Sequence, residues 1–178
     1  MVTTYRECAQ RWDMTTRRPI GSKIKHEHEP LDSASINSIR SIAYSPDGLR
    51  ILTAGDDKAA RIWSVESGAP VCSAMKHDRG ILDAAFSPDG SKVVTCSRDR
   101  TARVWSAGDG TPITEALMPD GYISAARFTP DGKHILTVGA KVMLWNAISG
   151  ELVGMPVGDH LTGRCLAFSR DGSLLVIG

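Results

Sequence analysis

Four side chains between His77 and Trp105 are of types that act together chemically: His77, Thr95, Asp99 and Trp105. A threonine hydroxyl, an imidazole and a carboxylate could serve as nucleophile, base and orienting acid. With the indole they can instead close a static chain. The indole N–H donates to the hydroxyl, the hydroxyl bonds one imidazole nitrogen, and the other imidazole nitrogen donates to the carboxylate. The static reading is favoured, because indole and carboxylate would hold the imidazole from both sides and the segment shows no sign of an oxyanion hole or substrate cleft. A hydrolase using Thr95, His77 and Asp99 is therefore not expected.

Short β-strands must position these groups. Ile81, Ala84 and Phe86 mark a first strand whose uneven spacing implies a bulge at Leu82 and Asp83. Ser87-Pro88-Asp89-Gly90 then suits a hairpin loop: Pro presets φ, Asp bonds its own backbone, and Gly takes positive φ. Lys92 to Cys96 and Thr101 to Trp105 read as the next two strands, and Thr111 to Leu117 as an outer one. No useful window has the 3.6-residue period of an amphipathic helix, so the chain reads as all-β.

This unit repeats along most of the chain. The Ser-Pro-Asp-Gly turn begins at Ser87 and recurs from Ser45, Thr129 and, as Ser-Arg-Asp-Gly, Ser169, giving spacings of 42, 42 and 40 residues. Trp12, Trp63, Trp105 and Trp145 share one position of the unit, and Phe86, Phe128 and Phe168 share another with Tyr44. A period of about 40–45 residues with such Trp landmarks is similar to the WD40 repeat, a four-stranded blade of a β-propeller. The wording ARIW and ARVW, followed by a short turn and a strand ending in Lys-His, resembles long regular arrays of some bacterial and fungal proteins.

The resemblance implies three full blades and two partial ones, parts of an incomplete propeller that is expected to be a fragment of a longer array. The partial blades span residues 1–25 and 160–178, and the full ones 26–75, 77–117 and 119–157, the first of these with a loop inserted at 27–35. A four-bladed closure and a two-chain, eight-bladed ring are the competing arrangements. The resemblance also implies a structural tetrad of His26, Thr53, Asp57 and Trp63 in one blade and His77, Thr95, Asp99 and Trp105 in the next. In the following blade Thr137 and Trp145 pair alone, since Pro119 replaces the histidine and no aspartate matches Asp99. That blade is expected to be softer. The last unit is irregular too, with His160 one residue late and Gly163 at an apolar position.

Composition bounds the rest. The 178 residues are 42% hydrophobic and 23% charged with a formal net charge of +1, which suits an ordinary globular chain rather than a general nucleic-acid binder. The basic start, with Arg6, Arg11, Arg17, Arg18, Lys23 and Lys25, is better explained by a solvated edge than by a phosphate site. Cys8, Cys72, Cys96 and Cys165 have no metal-ligand spacing and read as small buried hydrophobes in a reducing compartment. His26, Glu27, His28 and Glu29 could suggest a metal site, but one structural histidine followed by a Pro-limited loop explains them better. No cofactor or metal is expected. The N-terminus lacks an apolar signal core and no apolar run is long enough for a membrane span, so the location expected is cytoplasmic, with nuclear as alternative.

What the repeat leaves variable is the better guide to contact. Asp56 and Arg98, each preceding a tetrad aspartate, should project from the same face as Arg79 and Tyr122. Arg40 and Arg164 share a repeat position near the bulge and add charge. The resemblance implies a non-catalytic scaffold for protein or peptide ligands on that face, with self-association through open blade edges as a further route. The alternative is a sensor segment within a larger NTPase-type signalling protein.

Overall fold

The computed structural model describes residues 1–5, 8–26, 38–154, 157–159, 166–169 and 175–177; none of these is helical. They form five antiparallel sheets in which each strand pairs with its neighbour in sequence. The first contains β1 (Val2–Tyr5), β2 (Cys8–Trp12) and β3 (Pro19–Lys25). The second contains β4 (Ile39–Tyr44), β5 (Arg50–Gly55), β6 (Ala59–Ser64) and β7 (Met75–Lys76). The third has β8 (Ile81–Phe86), β9 (Lys92–Ser97) and β10 (Ala102–Ser106). The fourth has β11 (Ile123–Phe128), β12 (His134–Gly139), β13 (Lys141–Asn146) and β14 (Val157–Asp159). β15 (Leu166–Phe168) and β16 (Leu175–Ile177) make the last.

Local chemistry explains the hairpins. At Ser87-Pro88-Asp89-Gly90 the Gly90 N–H donates to Ser87 O at 2.9 Å, and Gly90 has φ of 71°, where a Cβ would be strained. The Asp89 carboxylate accepts from Ser91 N at 3.0 Å and from the Ser87 hydroxyl, which holds it well below the usual carboxylate range. Asp47 and Asp131 accept in the same way, from Leu49 N at 2.9 Å and Lys133 N at 3.0 Å. The recurrent aspartates therefore close turns. The bulge near Leu82 is present as a register shift between Ile81 and Asp83, with counterparts between Ile39 and Ser41 and between Ile123 and Ala125.

The sheets stack face to face, so their middle strands are covered on both sides. Five consecutive residues of β5, β9 and β12 are buried, with apolar side chains on both faces. Ala9 and Ile24 meet Ile51 and Trp63 between the first and second sheets. Leu52, Ile62 and Met75 meet Ile81, Val93 and Trp105 between the second and third. Val94, Cys96 and Val104 pack with Phe128, Ile135 and Trp145 at the next interface, and Leu136 and Val138 with Leu166 at the last. Polar ties reinforce this series. Arg50 Nη2 donates to Gly90 O at 2.8 Å across the second interface while its guanidinium lies 5.3 Å from the Phe86 ring centre.

One expected element is different. Thr111 to Leu117 is not a continuous strand but touches β10 through isolated bridges, Trp105 with Pro112 and Ala102 with Leu117. Pro112 has no N–H to give a ladder, and Thr114 turns its side chain inward, so the chain leaves the sheet between the bridges. The second sheet shows the same pattern: Pro70 bridges Trp63, and regular pairing resumes only at Met75. The inserted residues 27–35, together with His160, Gly163 and Arg164, lie outside the described residues.

Candidate functional site

Two kinds of polar assembly occur, one inside the sheets and one at their ends. Inside the third sheet, β9 supplies Thr95, β10 supplies Trp105, the loop before β8 supplies His77, and the turn after β9 supplies Asp99. Trp105 Nε1 donates to Thr95 Oγ1 at 2.8 Å, His77 Nε2 is 2.7 Å from the same oxygen, and His77 Nδ1 is 2.8 Å from Asp99 Oδ2. A consistent proton arrangement puts the imidazole hydrogen on Nδ1, donating to the carboxylate, and lets the threonine hydroxyl donate to Nε2. Burial lowers the His77 pKa despite the opposing hydrogen bond and charge of Asp99. Burial would raise Asp99, but the hydrogen bonds from Thr101 and His77 outweigh it and hold the carboxyl below its usual range.

The second sheet brings together His26, Thr53, Asp57 and Trp63. Trp63 Nε1 donates to Thr53 Oγ1 at 2.7 Å, His26 Nε2 lies 2.6 Å from that oxygen, and His26 Nδ1 is 2.9 Å from Asp57 Oδ2. Both His26 nitrogens thus already have protein partners, which leaves neither for a metal. In the fourth sheet Trp145 Nε1 donates to Thr137 Oγ1 at 2.9 Å.

The immediate surroundings differ in ways the repeat does not announce. Arg61 donates to Asp57 Oδ2 and lies 2.9 Å from His26 Nδ1. Burial raises the Asp57 pKa, but His26 and Arg61 together bring it below its usual value. The corresponding Arg103 is placed over the Trp105 ring, 6.0 Å from its centre, while Thr101 Oγ1 donates to Asp99 Oδ1 at 2.7 Å. Sequence reasoning passed over Arg61 and Thr101, and also Thr3, whose hydroxyl accepts from Trp12 Nε1 at 2.8 Å. A Trp-to-Thr offset could have found Thr3: it is 9 here, 10 for Trp63 and Trp105, and 8 for Trp145.

At the sheet ends, the loops leading into β4, β8 and β11 meet the turns after β5, β9 and β12. Asp56 N donates to Ser38 O at 3.0 Å, Arg98 N to Gly80 O at 3.0 Å and Ala140 N to Tyr122 O at 3.1 Å. These equivalent bonds put Arg40, Asp56, Arg79, Arg98 and Tyr122 on one end. Arg40, Arg79, Arg98 and Tyr122 are exposed, whereas Asp56 is drawn inward. Asp56 Oδ1 accepts from Arg40 Nε at 2.5 Å, with Arg98 Nη2 3.7 Å away. Asp56 therefore serves its own neighbours, an outcome that its place in the sequence does not reveal. Arg164 is not among the described residues.

Asp83 is another residue sequence reasoning saw only as part of a bulge. Its carboxylate accepts from Ser41 Oγ of the second sheet at 3.1 Å and from Arg127 of the fourth. It thus ties three consecutive sheets. Among the described residues no group of three or more His, Cys, Asp or Glu side chains gathers as a metal centre would require.

The repeat geometry agrees with comparison at the level of sequence. The family model for the WD domain, G-beta repeat, matches residues 27–64 and 68–106. The chain is similar to Ribosomal RNA-processing protein 9 of Saccharomyces cerevisiae, with 38% identity over 55 residues. That similarity covers 31% of this chain and 10% of the yeast protein, so the chain spans about a tenth of the length of this relative. The described residues form an all-β stack of antiparallel sheets, and the sequence carries repeats of the WD40 family at residues 27–64 and 68–106.

Proposed function

We propose that the chain is a non-catalytic scaffold that binds protein or peptide partners through the sheet end bearing Arg40, Arg79, Arg98 and Tyr122. The observation that carries this reading is a division of labour among side chains. The His, Thr, Asp and Trp groups that recur are bonded to one another in the interior, while the exposed end carries side chains that change from one repeat to the next. Thr95 has indole and imidazole as its hydroxyl partners and His77 is held on both nitrogens, so neither is poised for substrate. Arginine and tyrosine suit contact, since both offer large area with a polar tip.

The test is comparative capture of partners from an extract of the source cells. One bait carries Arg79→Ala, Arg98→Ala and Tyr122→Ala; the other carries Leu49→Ala and Lys133→Ala, exposed positions in the hairpin turns at the opposite end. The reading expects the same proteins on the unmodified chain and the second bait, and their loss from the first. Loss from the second bait alone would place recognition at the other end and reject it.

A further inference from the structure

The candidate face has a marked charge character that points to one partner chemistry. Arg40 and Arg98 lie on either side of Asp56, whose side chain is only 16% exposed while theirs are 39% and 49% exposed. The short contact goes to Arg40; the 3.7 Å separation from Arg98 Nη2 is too long for a hydrogen bond. The Arg98 guanidinium is thus held beside a carboxylate without being saturated by it.

Backbone bonds fix a second cation next to it. Arg98 N donates to Gly80 O at 3.0 Å and Ser97 Oγ donates to Arg79 O at 3.0 Å, which joins the Arg98 turn to the Arg79 loop. Lys58 and Arg100, in the turns after β5 and β9, keep positive φ values of 65° and 71° and are also exposed. The acids nearby have partners of their own: Asp57 is bonded to His26 and Arg61, Asp99 to His77 and Thr101, Asp56 to Arg40, and Asp120 to Lys141 at 2.8 Å. Asp78 is the exposed acid beside Arg79. Tyr122, 49% exposed, has its backbone carbonyl anchored by Ala140 N and leaves its ring available.

We propose that this end recognises an acidic peptide segment of a protein partner, with Asp or Glu carboxylates taken by Arg98 and Arg79 and an adjacent apolar residue laid on Tyr122. This rests on the reading that partners dock on this end, and adds what they present. A planar guanidinium can take a carboxylate through two parallel N–H bonds, a geometry that an ammonium group does not supply.

The probe is a fluorescein-labelled peptide, acetyl-Glu-Asp-Leu-Asp-Glu-amide, compared with its Gln/Asn counterpart and with a phosphoserine peptide lacking carboxylates. Binding to the full chain is followed by fluorescence anisotropy, and the protected segments by hydrogen exchange. The acidic peptide should bind, lose roughly tenfold in affinity in Arg79→Ala/Arg98→Ala, weaken with added salt, and protect the loops at Arg79 and Tyr122. Arg98→Lys should restore charge but only part of the affinity. Equal binding of the amide peptide at those loops would overturn the acidic assignment and leave the docking face standing. So would binding of the phosphoserine peptide alone. Protection of the opposite turns would overturn both. Absence of acidic-peptide binding by the correctly folded chain would overturn the acidic assignment, with the capture comparison still deciding the face.

Discussion

Thr95→Val is the most informative single change because it preserves shape while deleting one oxygen that two groups share. Thr95 is fully buried; its hydroxyl accepts from Trp105 Nε1 at 2.8 Å and lies 2.7 Å from His77 Nε2. Valine would leave an indole N–H and an imidazole nitrogen without partners where Trp105 is 5% exposed and the His77 side chain has no exposure. An orphaned buried polar group costs about 1–3 kcal/mol, and because the two share one network the sum is expected near 2–4 kcal/mol. Thr137→Val supplies an internal control. It removes only the 2.9 Å bond from Trp145 Nε1, so about 1–2 kcal/mol is expected. Urea unfolding followed by tryptophan fluorescence and by far-ultraviolet circular dichroism measures both, with hydrogen exchange locating the loss in the third or the fourth sheet. If Thr95→Val costs no more than Thr137→Val, the hydrogen-bond chain through His77 contributes nothing beyond the indole bond, and the reasoning fails.

Four further outcomes follow from the same geometry. Because the folded protein lowers the His77 pKa below 6.5, its contribution is complete above that value and is lost as pH falls, by up to about 1.4 kcal/mol per pH unit; melting from pH 7.5 to 5.0 should show a steeper decline for the unmodified chain than for His77→Gln, and equal slopes would refute it. The lowered carboxyl groups of Asp57 and Asp99 act in a separate window, with stability present above 3.8 and lost as pH falls through their folded pKa values. Gly139→Ala should destabilise by about 3 kcal/mol or more, since a Cβ there meets the backbone of Tyr122 and Ile123 rather than a movable side chain; a thermal melt unchanged from the parent would reject the close approach. A double-mutant cycle of Asp83→Asn and Arg127→Met should return a coupling of about 1 kcal/mol, and additivity would mean that the ion pair does not help join the third and fourth sheets.

Much of the fold is legible from individual residues. The turn at Ser87-Pro88-Asp89-Gly90, the strands on either side of it and the bulge near Asp83 all depend on contacts close in sequence, and their chemistry recurs at each copy. Thr53 with Trp63 and Thr95 with Trp105 are likewise joined by one hairpin, so their equal spacing of 10 reports a geometry that backbone pairing enforces. The outer segment from Thr111 to Leu117 is legible only in part. Its β-branched residues favour a strand, but Pro112 and the inward turn of Thr114 limit pairing to bridges at its two ends.

The all-β unit, its repetition, and the His, Thr, Asp and Trp side chains available for each internal chain are legible in the sequence alone. How adjacent repeats use their differences depends on packing between sheets. Ser41, Asp83 and Arg127 meet over separations of 42 and 44 residues, and Arg61 turns to its histidine and aspartate while Arg103 turns to a tryptophan ring. Asp56 is paired with Arg40, leaving Arg98 and Arg79 among the outward cations. The physical reason is range: hairpin chemistry is set by residues a few positions apart, whereas charge orientation depends on which substituted position of the neighbouring sheet comes within hydrogen-bond reach.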